Sequence, residues 1–252
     1  MEKKIPEKIY HYTSIQSLEA ILKNRTIRFS TLAKVNDENE GETQEIGNLG
    51  KYIFVSCWTE SAIENDWMWE KYGDNFKGVK ISLSFPPFCV YNDGGISSIT
   101  PLNGKLEKDY FILPSPENFY FFIEYTNDEE NLKPKTIYYY WGQGRFKFGK
   151  VGKCKAPNPW KIEEELRFII YTLPKSKIYN FEQEPEFFID DAISMMKNNS
   201  DIYTSFIDMK IIEESFNNMT ITIGTEVSIK EKMKIIEMVN LYNPKALIKL
   251  ND

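Results

Sequence analysis

The chain has 252 residues, of which 42% are hydrophobic and 27% charged, with a formal net charge of −6. That length and apolar content suit one domain with a sizeable core, and the acidic balance excludes indiscriminate binding to nucleic acid or an anionic membrane surface. A single histidine and three widely spaced cysteines, Cys57, Cys89 and Cys154, argue against a structural zinc site and for reduced thiols in a cytoplasmic setting.

In chain order, Lys8 to Thr13 has the composition of a strand. Thr13 then opens a helix with Gln16 three positions on as a capping partner, and Ile15, Leu18, Ile21 and Leu22 form its apolar stripe. Ile27-Arg28-Phe29-Ser30 is a second strand, followed by the polar stretch Asn36 to Glu42, a loop or helix start. Tyr52–Trp58 predicts a strand, residues 62–72 a helix carrying Trp67, Met68, Trp69 and Tyr72, and Gly78–Phe85 a strand stopped by Pro86-Pro87. From about 90 to 158 periodicity fades and Gly and Pro increase, with Phe119–Thr126 as the clearest strand. Leu166–Thr172 is a strand, 185–198 a helix, and Met219–Ile223 a strand ending at Gly224. Ser228 and Glu231 make a capping box for a helix that Asn243-Pro244 terminates, and Ala246–Leu250 is the last strand. Strands and helices without regular alternation predict an α+β fold: mixed, mostly antiparallel split sheets flanked by helices, in a single domain over 1–252 with a variable elaboration at about 90–158.

No apolar run approaches the roughly 20 residues that cross a bilayer. The charged start, Met1-Glu2-Lys3-Lys4-Ile5-Pro6, is not followed by the apolar stretch of a secretory signal. A cytoplasmic protein with no membrane partner is expected.

Three stretches carry chemistry. In Glu163-Glu164-Glu165-Leu166-Arg167-Phe168 a strand would place Glu163, Glu165 and Arg167 on one face and Leu166 and Phe168 on the other, toward a core. The plain alternative is an exposed, ion-paired strand edge. Between Asn131 and Ile162 there is no acidic residue, while Lys133, Lys135, Arg145, Lys147, Lys150, Lys153, Lys155 and Lys161 alternate with Tyr138-Tyr139-Tyr140-Trp141, Phe146 and Phe148. Such a segment suits phosphates and stacked bases, or is a solvated lysine-rich loop over an aromatic core. His11, in Tyr10-His11-Tyr12-Thr13, is either a structural hydrogen-bonding residue or part of an anion-welcoming helix start. There is no Gly-x-Ser-x-Gly elbow and no Walker A sequence, Gly142-Gln143-Gly144 lacks the rest of a dinucleotide fingerprint, and a Cys–His pair with Cys57 or Cys154 has no local support.

On these residues the chain resembles a large bacterial family catalogued as domain of unknown function 2971. The resemblance runs through Tyr10-His11-Tyr12-Thr13-Ser14, Ile27-Arg28-Phe29-Ser30, Asn36-Asp37 with Glu40-Gly41, Met68-Trp69 with Tyr72-Gly73, Lys77-Gly78-Val79, Trp160-x-x-Glu163-x-Glu165-x-Arg167 and Ile223-Gly224. The opening His-x-Thr strand and the later Glu-x-Glu also look like NAD-dependent ADP-ribosyltransferases, especially those that modify nucleic acid. That likeness implies NAD as a substrate, no metal, a nucleic-acid or protein acceptor, and a setting in toxins or phage defence. It makes Glu165, Glu163 and His11 the catalytic candidates, with Glu165 stabilising a ribosyl cation and Glu163 orienting or deprotonating the acceptor. His11, Tyr12, Thr13 and Ser30 would line the dinucleotide, Trp69 or Tyr72 would stack nicotinamide, and Arg167 or Lys153 would meet the pyrophosphate, unless Arg167 simply pairs with Glu165. The rival expectations are a non-catalytic module that binds a nucleotide or single-stranded RNA through the basic aromatic middle, and hydrolysis of a glycosidic bond by the same carboxylates.

Overall fold

Alternation decides which side of each strand is buried. In the computed structural model, which describes residues 4–37, 39–113, 119–140 and 143–251, the elements are β1 (Lys8–Thr13), α1 (Ile15–Asn24), β2 (Thr26–Thr31), β3 (Ile53–Thr59), α2 (Asp66–Tyr72), β4 (Val79–Ser84), β5 (Tyr91–Asp93), β6 (Ile96–Ser98), β7 (Lys105–Leu106), β8 (Tyr110–Ile112), β9 (Tyr120–Phe122), β10 (Glu124–Tyr125), α3 (Glu129–Leu132), β11 (Ile137–Tyr140), β12 (Gln143–Phe146), β13 (Cys154–Lys155), β14 (Glu165–Pro174), α4 (Pro185–Lys197), β15 (Phe206–Lys210), α5 (Glu213–Asn217), β16 (Thr220–Ile223), α6 (Ile229–Tyr242) and β17 (Leu247–Leu250). Glu38, Trp141 and Gly142 of the sequence motifs lie outside the described residues.

The main sheet runs β17-β16-β4-β1-β3-β14-β8-β7, with β9 also on β14, β2 on β3 and β15 on β2. Its pairings are antiparallel apart from β16–β17. The fold is therefore α+β with a mixed, mostly antiparallel sheet, as expected. Ile9, Ile81, Leu83, Ile221 and Ile223 alternate into a core that α1 covers with Leu18, Ile21 and Leu22 and α6 with Ile235, Met238 and Val239. Just past the end of β16 the chain runs so close to the turn before β4 that a Cβ on Gly224 would lie 2.1 Å from the Phe76 carbonyl oxygen.

The feature that shapes the site is a parting in this sheet. β3 pairs with β14 along its whole length, Ile53 to Thr59. On its other edge it meets β2 only at Phe54 and Val55, and β1 only at Thr59, opposite Tyr10. Between those contacts β1 and β2 diverge, and α1 joins them across the gap.

Local details differ from the sequence expectations for identifiable reasons. Ser14, not Thr13, caps α1, its hydroxyl accepting from the Ser17 N–H at 3.1 Å, because Thr13 is still held opposite Val79 in the ladder. α2 starts only at Asp66, where Asn65 accepts from Met68 N–H. The strand expected over 119–126 divides into β9, which pairs with β14, and β10, which pairs in parallel with β13. The capping box of Ser228 and Glu231 is present, and α6 ends at Asn243 as expected.

Candidate active site

Glu165 and Arg167 share a face of β14, and Leu166 and Phe168 turn into the core, as alternation requires. Glu163 reaches the same side by another route. It belongs to a 3-10 turn, Trp160–Glu163, and Glu164 in the left-handed region (φ 44°) redirects the chain into the strand. The exposed edge of the plain alternative does not form: Arg167 is 0% exposed and Glu163 and Glu165 are each 3% exposed.

A buried guanidinium must have its donors satisfied, and Arg167 has all five N–H groups placed. Nε and Nη2 donate to Glu165 at 2.7 and 3.1 Å, Nη1 and Nη2 to Glu40, and Nη1 to the Gly152 carbonyl at 2.9 Å. Gly152 adopts a positive φ of 75°, which sets this carbonyl at the guanidinium and favours glycine there. Lys155 of β13 completes the cluster, its Nζ 2.8 Å from both Glu163 and Glu165 and 3.3 Å from Glu40. Tyr125 is also part of the support, its hydroxyl accepting from the Glu165 N–H at 3.0 Å.

Three carboxylates thus share two cations, and their environments push the two on the Glu-x-Glu motif apart. Burial alone would raise the Glu165 carboxyl, but Arg167 and then Lys155 outweigh it and hold it down at about 2. Glu163 is raised, chiefly by burial and further by Glu165, against the pull of Lys155. Tyr72 donates its hydroxyl to Glu163 at 2.5 Å, and burial together with the Glu163 charge pushes that phenol up, so it stays a donor. Burial and then Glu165 likewise push the Cys57 thiol far up, which leaves no thiolate for a Cys–His nucleophile.

His11 lies across the parting from this cluster. Its Nδ1–H donates to the Cys57 carbonyl oxygen at 2.8 Å, so Nε2 carries the lone pair, and the ring sits 5.2 Å from Trp58. Burial lowers the imidazole below its ordinary value, against a smaller opposing effect of that hydrogen bond. It is the chain's only histidine, so one imidazole signal in an NMR titration checks this directly: its midpoint is expected below 6.5. Below 6.5 the unfolded chain takes up a proton that the folded ring resists, so this group contributes stability above 6.5 that is lost as pH falls.

His11, Glu163 and Glu165 line one cavity of about 400 Å³ in the parting. No protein-family model, curated protein or solved structure matches the chain.

Of the other expected residues, Tyr12, Thr13, Ser30, Tyr72 and Arg167 also line this cavity. Arg167 has no N–H left for a pyrophosphate and acts as the support of Glu165. Trp69 is not at the cavity: it is 0% exposed, packs edge-on against Tyr12 and donates its indole N–H to Glu64 at 2.6 Å. Lys153 is not there either, its ammonium lying 3.9 Å from the centre of the Phe121 ring. The basic middle disperses rather than forming one field: Lys150 pairs with Glu124, Lys155 is buried in the carboxylate cluster, and Phe148 stacks on Tyr171, while Lys133, Lys135, Arg145 and the 77% exposed Tyr139 face solvent. Three contributors escaped the sequence reading. Lys155 was one lysine among eight, Glu40 sat in a polar loop, and Lys34 carried no motif. Lys34 is the cavity-lining lysine with no carboxylate partner among the described residues. Asn36 of the Asn36-Asp37 pair caps no helix; it lines the cavity and donates to the Tyr72 hydroxyl at 3.4 Å. Among the described residues no group of three His, Cys, Asp or Glu side chains is placed to hold a metal ion, and no helix is long and apolar enough to cross a membrane.

Proposed function

We propose that this cavity binds NAD and transfers its ADP-ribosyl group to a nucleic-acid or protein acceptor, in an ADP-ribosyltransferase-like fold. The observation that carries the reading is the shared cavity: the imidazole of His11 and the carboxylates of Glu163 and Glu165 border one aromatic-walled space. NAD brings a cationic pyridinium ring, and cleavage of its bond to ribose passes through a cation-like state. Glu165, its carboxyl held low by Arg167 and Lys155, suits both charges. Nε2 of His11 accepts a hydrogen bond from a ribose hydroxyl, and Tyr10 and Tyr72 offer ring faces and phenols along the walls, with Tyr12 contributing its ring. Lys34 replaces Arg167 and Lys153 as the cation for the pyrophosphate.

The nicotinamide leaves with the bonding electron pair, and a lone pair on the acceptor forms the new bond to the ribose C1′. The acceptor's proton passes to Glu163, whose raised carboxyl is suited to hold it. The test is transfer of label from adenine-labelled NAD to cell extract by the wild-type protein and by Glu165→Gln. Transfer by wild type alone is expected; no transfer, or equal transfer, ends the assignment. Free ADP-ribose without acceptor would instead mark a hydrolase, and NAD or RNA binding without bond cleavage a binding module.

A further inference from the structure

A second cavity, also about 400 Å³, opens on the same sheet. Its floor follows from alternation. Lys-Ile-Tyr-His-Tyr in β1, Lys-Ile-Ser-Leu in β4, Thr-Ile-Thr-Ile in β16 and Leu-Ile-Lys-Leu in β17 put their isoleucines, and Leu83 of β4, toward the core and leave Lys8, Tyr10, Lys80, Ser82, Thr220, Thr222 and Lys249 on the opposite face, while the exposed Leu250 borders the cavity. Register confirms the grouping. Tyr10, Ser82 and Thr220 stand opposite one another across three strands, and Lys80, Thr222 and Lys249 occupy the next row.

The polar groups of this floor are not used up within the protein. Lys80, 4% exposed, directs its ammonium to Glu64 and to the Ala62 carbonyl oxygen at 3.3 Å, which leaves one N–H. Glu64 is already engaged by Lys80 and Trp69. Lys8 and Lys249 have no carboxylate partner, and the hydroxyls of Ser82, Thr220 and Thr222 have no hydrogen-bond partner, among the described residues. These hydroxyls belong to residues that are only 5, 8 and 9% exposed. Among the described residues the Tyr12 hydroxyl alone is a buried polar side-chain atom without a partner, so the oxygens of Ser82, Thr220 and Thr222 open onto the cavity, where they can donate to a group rich in acceptor oxygens. Among the described residues three ammonium groups line the cavity against one carboxylate, inside an acidic protein.

The two cavities share Tyr10. One continuous row of opposed residues, Thr220–Ser82–Tyr10–Thr59–Glu165, runs from the floor of the second to the carboxylates of the first. Ser82 and Glu165 are three strand spacings apart, about 14 Å. We propose that the second cavity is a phosphate subsite for a nucleotide acceptor, holding a backbone or terminal phosphate while the reacting group lies at Glu163 and Glu165. The link to the carboxylates rests on the ADP-ribosyl-transfer reading; the phosphate subsite itself does not.

The probe is a 5′-phosphorylated dinucleotide, with its affinity measured at several salt concentrations in the absence of NAD. Wild type is expected to bind it in competition with inorganic phosphate and to ignore the corresponding nucleosides. Lys8→Ala/Lys249→Ala, two exposed positions outside the first cavity, should weaken binding roughly tenfold or more and flatten its salt dependence, and Thr220→Val/Thr222→Val should weaken it without changing that dependence. Lys230→Ala/Lys245→Ala, which removes the same charge from exposed positions outside both cavities, should bind the dinucleotide as wild type does. Absence of binding, equal binding by Lys8→Ala/Lys249→Ala, or an equal loss in Lys230→Ala/Lys245→Ala overturns the subsite. If the dinucleotide binds as described while no label leaves NAD, the subsite stands and the transfer reading falls.

Discussion

Glu165→Gln is expected to lower the rate of ADP-ribosyl transfer by about 10²–10³-fold while changing NAD affinity only a few-fold, because a preorganised charge facing a developing cation acts mainly in the transition state. The substitution keeps the shape of the side chain and removes the charge. It also places an NH₂ group against Arg167 and Lys155, which now donate to Glu165, so stability falls as well. Glu40→Gln separates the two effects. Glu40 shares Arg167 and Lys155 with Glu165 but does not border the cavity. If Glu165 matters only as an ion-pair partner, the two variants should lose stability and turnover in parallel. If it faces the ribose, Glu40→Gln should be destabilised yet retain far more turnover. Single-turnover rates and thermal midpoints of both proteins decide the point.

Arg167→Met should be the most destabilising single change at the site, by about 3–5 kcal/mol at pH 7, which is roughly 10 °C in melting temperature for a chain of this size. The cause is not the loss of a contact but the stranding of charge: Glu40 and Glu165 stay buried with only Lys155 to answer them. The pH dependence carries a sign that a packing defect would not have. In the wild type Glu165 is held at about 2 against an ordinary 4.5. It therefore contributes about 3 kcal/mol above 4.5 that is lost as pH falls toward 2. Glu163, raised above 4.5, acts oppositely and loses stability as pH rises through its own range. Without Arg167 burial dominates, Glu165 protonates more readily, and acidification relieves the fold. The gap in urea midpoint between wild type and variant should narrow from pH 7 to pH 4; a constant gap would mean that Arg167 acts by volume alone.

Much of the framework was legible because periodicity is local. β1 was placed at its observed ends, β4, β14 and β16 to within a residue or two, and α6 together with its capping box, since apolar alternation and a Ser/Glu pair act over a few positions. β15 was missed because its partner, β2, lies nearly 180 residues away, and exposed Phe206-Ile-Asp-Met-Lys210 carries no core-facing signature. At the site the motif residues were visible and their company was not. Glu-x-Glu-x-Arg predicted a common face, but Glu40 and the Gly152 carbonyl reach Arg167 from two distant loops and Lys155 joins Glu163 and Glu165 from β13, and nothing in their neighbourhoods announces a buried cation. Trp69 shows the converse. An aromatic beside Tyr72 looked suitable for stacking a ring, but helical geometry turns it inward onto Tyr12 while Tyr72 faces the cavity.

The tautomer of His11 is secured by an oxygen of the main chain, not by a side chain. Every residue that could stand at position 57 supplies that same oxygen, so the hydrogen bond that leaves Nε2 bare is immune to point substitution of its acceptor and depends on the course of β3 alone. Directed substitution at position 57 therefore changes the side chain that meets Glu165 while leaving the same main-chain oxygen available to His11.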